Sequence, residues 1–455
     1  MTKKQFKSDF FRGLGSALIA LQTGDNPKQF YDIVLYGCLH NTTYDMQCEG
    51  DRGRYLSEAA RLTGEKDAIE SAVIQKFLRV KEDTWLFNQL TSILYHFAAD
   101  GSEAARAALY QQYESMLSEL SPKKRKRNGR YPELDKFEWL CVWLTSLDWW
   151  SAFKHIVQDI SEVLLPKDED LFFLDWFYSN SQSKFGEERI KKYLQKQSEK
   201  SAYIRAYYEK AKEWDNRPRV ERPVPTLEQV LAEVDGREFS GRGLNMRFAR
   251  NADREGRERL VKAAMDEPDT QVKINLLWPF RRIEGFSFPE EFLSQLRESE
   301  DYRLREIAID IMAQNPSAKT CELGRALIKS GEDIQGGLLL LSKNLRPVDE
   351  ELFCNTVKSF PVRHSERAWH DVFMDAIDGI EAMRGKPKTD ILEYLYRQTL
   401  CSFCRERIVR LMHKKKALPD VILQECRFDS DLDIRDLAER IIRGRKDVPP
   451  TECDV

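Results

Sequence analysis

The stretch "DTQVKINLL" (269–277) returns as "DYRLREIAI" (301–309) and again as "DLDIRDLAE" (431–439). Each copy opens on an acid, and three residues later carries an aliphatic: Val272, Leu304 or Ile434. A cation follows, Lys273, Arg305 or Arg435, and three residues beyond it comes Leu276, Ala308 or Ala438. An acid just ahead of an apolar stripe is the signal of a helix start, because its carboxylate can accept the unpaired N–H groups of the first turn. Apolar residues four apart then fall on one helix face. Each copy therefore predicts a helix whose acid either caps it or pairs with the cation of an adjacent unit. The small or aliphatic closing position lets a neighbouring helix approach.

Weaker copies are "DIQGGL", with Ile334, Gln335 and Leu338, and "CRERI", with Cys404, Arg405 and Ile408. The cation phase runs 273, 305, 335, 405 and 435, and "SERAWHDVF" (365–373) fills the gap as a degenerate copy. Self-similarity at a period of about 30–35 residues is the mark of a helical solenoid. The pattern resembles the HEAT/armadillo-like helical-repeat class, in which an Asp and an Arg recur on the inner helix, over roughly residues 254–442. "EAARAALYQQY" (103–113) is a faint copy further upstream. The resemblance implies an all-α fold, a HEAT-like α-solenoid of stacked antiparallel helix pairs in two halves, with a concave inner surface. It implies no particular reaction.

The rest of the chain agrees with a helical reading. Strand alternation and Asn-Gly hairpins are nearly absent, whereas "WLFNQLTSILYHFA" (85–98) and "FEWLCVWLTSL" (137–147) carry broad apolar stripes at helical spacing. Phe6, Phe10, Leu14, Ala17, Leu18 and Leu21 describe an amphipathic N-terminal helix in preference to a signal peptide. "DNRPRVERPVPT" (215–226) breaks the pattern with three prolines, and Thr226 with Gln229 then forms a capping-box signature. The expected organisation is a helical domain of degenerate repeats over 1–214, a Pro/Arg linker over 215–226, a repeat domain over 227–443 and a flexible tail over 444–455.

The 455 residues are 42% hydrophobic and 32% charged, with a formal net charge of −3, so no global field drives binding to nucleic acid or membrane. Nine scattered cysteines read as reduced thiols of a cytoplasmic protein, and no apolar run is long enough to span a bilayer. The chain has no GxxxxGK[ST], GxGxxG or GxSxG motif, which disfavours enzymes built on those sites. No catalytic residue, metal ligand set or cofactor is assigned.

Four segments could carry function. "CLHNTTYDMQCEGDRGRYL" (38–56) packs His40, Tyr44, Asp45, Glu49, Arg52 and Arg54 between two apolar helices. It reads either as a polar turn with Glu49 paired to Arg52 or Arg54, or as a partner-binding surface. "CSFC" (401–404) reads as core cysteines, with zinc, helped by His413 and Cys426, as the alternative. Lys123, Lys124, Arg125, Lys126 and Arg127 form a basic loop ahead of Trp139, Trp143, Trp149 and Trp150, and could touch phosphate or act as a nuclear-import address. By analogy with HEAT-like alkylpurine DNA glycosylases, Asp148 beside Trp149 is the residue to try for base chemistry. Finally, Arg247, Arg250, Arg254 and Arg257 share one flank if they are helical, beside Arg237 and Arg242. The expected function is a scaffold that binds a protein or peptide partner on its concave face. Nucleic-acid binding through Lys123–Arg127, Arg247, Arg250 and Arg254 is the alternative.

Overall fold

The computed structural model describes residues 1–49, 52–81, 83–120, 134–163, 172–217, 223–360, 366–387 and 390–444. The basic run 123–127, residues 218–222 of the Pro/Arg linker and residues 445–455 of the expected tail lie outside them. Among the described residues the chain is all-α, with no strand. No helix is long and apolar enough to cross a membrane. The chain divides into two compact units.

The first unit comprises Met1–Arg219, Leu400–Phe403 and Pro419–Val455. It opens with two helices, Lys3–Phe11 and Gly15–Thr23, where the sequence suggested one. The break comes at Gly13, whose φ of 74° lies in the left-handed region that favours glycine. All six apolar residues of that stripe are nonetheless buried. The same unit then builds one continuous core from successive helices, among them Gly53–Leu62, Thr84–Ala99, Glu103–Glu119 and Leu134–Leu147. Asp83, Ser102 and Ser201 cap helix starts with their side chains. Phe10 stacks between Phe6 and Tyr55 at 5.5 and 5.4 Å, and the Tyr55 hydroxyl donates to Leu14 O at 2.9 Å.

The chain's last two helices, Asp420–Cys426 and Leu432–Ile442, join this unit against its first ones. Ser430 N donates to Gly13 O at 2.8 Å. Arg435, the cation of the third repeat copy, grips Glu58 through both terminal nitrogens at 3.0 and 2.8 Å. Gly15 lies so close to the incoming segment that a Cβ on it would fall 1.9 Å from Glu425 O.

The second unit comprises Val220–Thr399 and Cys404–Leu418. Thr226 and Gln229 form the expected capping box. The repeat acids do cap: Asp269 accepts from Val272 N at 2.9 Å, Asp301 from Arg303 N at 2.9 Å and Asp333 from Gly336 N at 2.8 Å. Asp431 does the same for its helix in the first unit. The repeat arginines reach back about one loop: Arg305 donates to Ser299 O and Glu300 O, and Arg435 to Asp429 O at the same six-residue spacing. They tie off carbonyls that the preceding turn leaves open. Leu304, Ile434, Leu276, Ala308 and Ala438 are buried as the pattern requires.

Helix pairs of the second unit pack side by side, Glu290–Arg297 with Tyr302–Ala313 and Ala318–Ser330 with Ile334–Ser342. Their second members also touch in series: Thr270–Leu277, Tyr302–Ala313, Ile334–Ser342 and Glu366–Ala382. The tightest crossing is at Gly324 and Gly337, where a Cβ on either would lie within 3.0 Å of the other's carbonyl oxygen. Among the described residues Cys38, Cys141, Cys321, Cys354, Cys401, Cys404 and Cys426 are buried thiols, as expected for small hydrophobes.

Candidate functional site

The polar turn of 38–56 is knitted together from within. Glu49 Oε1 accepts from the backbone N–H groups of Tyr44 and Asp45, both at 2.9 Å. Its other oxygen pairs with Arg52, with both side chains almost fully buried. Arg52 also donates to Phe11 O at 2.6 Å. His40 is exposed, stacks on Tyr36 at 4.1 Å and has its Nδ1 3.0 Å from Tyr36 O. Gln89 Nε2 reaches the carbonyls of Gly37, Cys38 and His40 at the end of the Tyr31–Leu39 helix. Arg54 pairs with Glu58 at 3.1 Å. The arrangement ties two helices to the N-terminal pair, with Glu49 and Arg52 consumed inside it.

Asp148 is likewise engaged: Tyr110 donates to it at 2.6 Å and Arg106 pairs with it. Trp149 is exposed, with a φ of 53°, while Trp139, Trp143 and Trp150 are half-buried and not fully interior as their spacing suggested. Trp143 Nε1 donates to Asn88 Oδ1 at 3.1 Å, and Arg189 stacks on Trp150 at 4.2 Å. Trp143 and Trp150 can sit near the surface because each has a polar neighbour for its N–H or its ring face.

The arginines of 247–257 do not share one helix flank. Arg247 and Arg250 belong to the Arg242–Asn251 helix, and Arg254 and Arg257 to Arg254–Asp266, with Asp253 capping the second. Arg254 pairs with Glu258 at 2.8 Å, and Arg257 closes the carbonyls of Ala249 and Arg250.

Arg242, at the start of that first helix, opens a different site. Its guanidinium lies over Trp278 at 3.8 Å and over the exposed Phe239 at 4.4 Å, and Arg281 covers Trp278 at 4.4 Å. Trp278 is therefore flanked by two guanidiniums, an arrangement its ring quadrupole favours. Arg242 Nε donates to Asn275 Oδ1 at 3.0 Å, and among the described residues no carboxylate pairs with it. Burial, and the positive charge of Arg281, hold its pKa below the ordinary arginine value.

From Arg281 the charges continue along the second helices of successive pairs. Arg281 pairs with Asp310. Asp310 in turn feels Asp371, and burial holds its carboxyl above the usual range. Asp375 lies next, one turn along from Asp371 on Glu366–Ala382. Burial first, and the neighbouring Asp378 carboxylate second, keep the Asp375 pKa well above the usual value. Among the described residues no hydrogen bond or ion pair reaches its oxygens. Asp378 itself is met by Arg407 at 2.8 Å and Lys343 at 3.7 Å.

This ladder has one pole that lacks an anion, Arg242, and one that lacks a cation, Asp375. Arg242 stood in the sequence cluster, but Trp278, Arg281, Asp310 and Asp375 were missed. The repeat phase was the signal that could have found Asp310, nine positions after the Asp301 cap. A second concavity, lined by Phe288, Leu293, Ile311 and Met312, has Lys319 and Glu290 paired at its rim at 3.1 Å.

No protein-family model matches this chain, and no curated protein matches it.

Proposed function

We propose that the chain is a HEAT-like α-solenoid scaffold that binds a protein or peptide partner on the concave face of its second unit. The serial packing of second helices, the repeated Asp cap and the repeated arginine-to-loop hydrogen bonds support the repeat reading. The observation that carries the binding reading is the pair of open poles, Arg242 and Asp375, on one ladder of charges. An extended peptide offering a carboxylate to Arg242 and a cation to Asp375 would complete both, and its apolar or aromatic side chains would find Phe239 and Trp278. Charge complementarity of this kind sets register and partner choice.

Nucleic-acid binding is the second reading, favoured by the Arg242–Trp278–Arg281 stack, since aromatic and guanidinium planes stack on exposed bases. Against it stand the Asp371 and Asp378 carboxylates, which would repel a phosphate backbone laid along the same helices.

Selection of peptides from a displayed library on the intact chain separates the two. The expected result is an enriched sequence with one acidic and one basic residue, whose affinity falls about ten-fold or more on Asp375→Asn and on Arg242→Gln. No enriched sequence, or binding indifferent to both substitutions, would overturn the peptide reading. Fluorescence anisotropy with single- and double-stranded DNA completes the comparison. Tight binding that weakens steeply with salt and is lost on Arg242→Gln would put the second reading in its place.

A further inference from the structure

Cys404 stands outside the charge ladder, on the helix Ser402–Lys414, and faces the helix Glu366–Ala382. Its Sγ lies 3.2 Å from His370 Nε2 and also 3.2 Å from Met374 Sδ. His370 and Met374 are four residues apart on one helix, so their side chains emerge from the same face. A thiol has one proton and can donate it to one neighbour; with the histidine proton on Nδ1, on the side of Asp371, two lone-pair-bearing atoms converge on this sulfur at the same short distance. The sulfur–sulfur approach is closer than dispersion alone favours. Convergent lone pairs of this kind are what a bound cation requires.

We infer that His370, Met374 and Cys404 form a site for a thiophilic cation with a filled d shell, copper(I) in preference to zinc. The distances fit. A cation bonded at about 2.3 Å to sulfur and about 2.0 Å to imidazole nitrogen holds such ligands roughly 3.5 Å apart, which asks these side chains to give only a few tenths of an ångström. The donor set is soft: a thiolate, a thioether and an imidazole. A thioether ligand selects copper(I), whereas zinc sites draw on thiolate, imidazole and carboxylate. His370 Nδ1 faces Asp371 Oδ1 at 3.9 Å, placing a carboxylate behind the imidazole where metal-bound histidines commonly have one. Binding replaces the thiol proton: the S–H bond breaks, the sulfur keeps the electron pair and bonds the cation, and one proton leaves for solvent. No change of oxidation state is involved. The site does not depend on the peptide reading of the ladder.

The test is anaerobic titration of the full chain with copper(I), buffered by a chromogenic chelator, and in parallel with zinc. The expected outcome is one copper(I) per chain, released protons, and an ultraviolet thiolate-to-copper band. Cys404→Ser should remove the band, and Met374→Leu, which keeps the side-chain volume, should weaken copper(I) binding about ten-fold while leaving the helical circular dichroism unchanged. His370→Gln should weaken it comparably, and Cys321→Ser, a buried thiol elsewhere in the unit, should not. Tighter binding of zinc than of copper(I) would overturn the choice of cation. Failure of the folded wild type to take either metal from the chelator, or wild-type affinity in both Met374→Leu and His370→Gln, would overturn the site.

Discussion

Replacing Gly15 by alanine tests whether both ends of the chain share one core. The added Cβ would lie 1.9 Å from the carbonyl oxygen of Glu425, far inside any real contact. Both atoms belong to or hang directly from backbone, so no side chain can swing aside. The 419–443 segment must withdraw by more than about 1 Å. Overpacking of this kind costs typically about 1–3 kcal/mol, and the Ser430 N to Gly13 O hydrogen bond, at 2.8 Å, is lost with it for about another 1 kcal/mol. The expected destabilisation is therefore about 2–4 kcal/mol, concentrated on the docking of the last two helices. Urea unfolding should show a lower midpoint for the first unit. Trypsin should cut faster at Lys414, Lys415 and Lys416, which precede the docked helices. Gly243→Ala is the control: nothing lies within 4 Å of its Cβ, and inside a helix alanine is favoured over glycine by about 0.5–1 kcal/mol. A Gly15→Ala protein with the wild-type urea midpoint and the wild-type tryptic pattern would refute the packing of the chain's two ends.

Three further outcomes follow from other contacts. Glu49→Gln leaves Arg52 buried without its counter-charge and should cost about 3–5 kcal/mol in urea unfolding; a loss below about 1 kcal/mol would show that the pair is solvated. Glu58 gives a pH dependence. Burial opposes its ionisation, but hydrogen bonds and charge from Arg435 and Arg54 outweigh this and lower its pKa below the ordinary 4.5. A depressed folded value means the contribution is complete above about pH 4.5, the unfolded value, and fades as the pH falls through the folded one. Urea midpoints measured from pH 6 downward should therefore drop less steeply in Glu58→Gln than in the wild type, and parallel curves would contradict the ion pair. Asp301→Ala removes a helix cap and should cost about 1 kcal/mol, with Asp301→Asn recovering most of it.

The repeat acids show how far the sequence alone reached. Asp269, Asp301, Asp333 and Asp431 cap helices as read, because capping is local: the acceptor and the N–H group it serves are two or three residues apart, and chain geometry brings them together wherever the helix forms. Burial of Leu304, Ala308, Ile434 and Ala438 followed from helical spacing for the same reason. The continuous helix expected over the first residues failed at Gly13, since apolar periodicity runs through a three-residue break when both helices present the same face to one core. The single arginine flank of 247–257 failed at Asp253, where a cap begins a new helix. Pairings over long separations were beyond the sequence. Glu58 and Arg435 are 377 positions apart, and Trp278, Arg281, Asp310 and Asp375 are brought into line by the order in which helices stack. Nothing in the spacing of Cys404 announces His370 and Met374 either. Short-range hydrogen-bonding and periodicity are written along the chain, whereas which charges end up unpartnered and which soft atoms converge is decided only when helices distant in sequence are packed together.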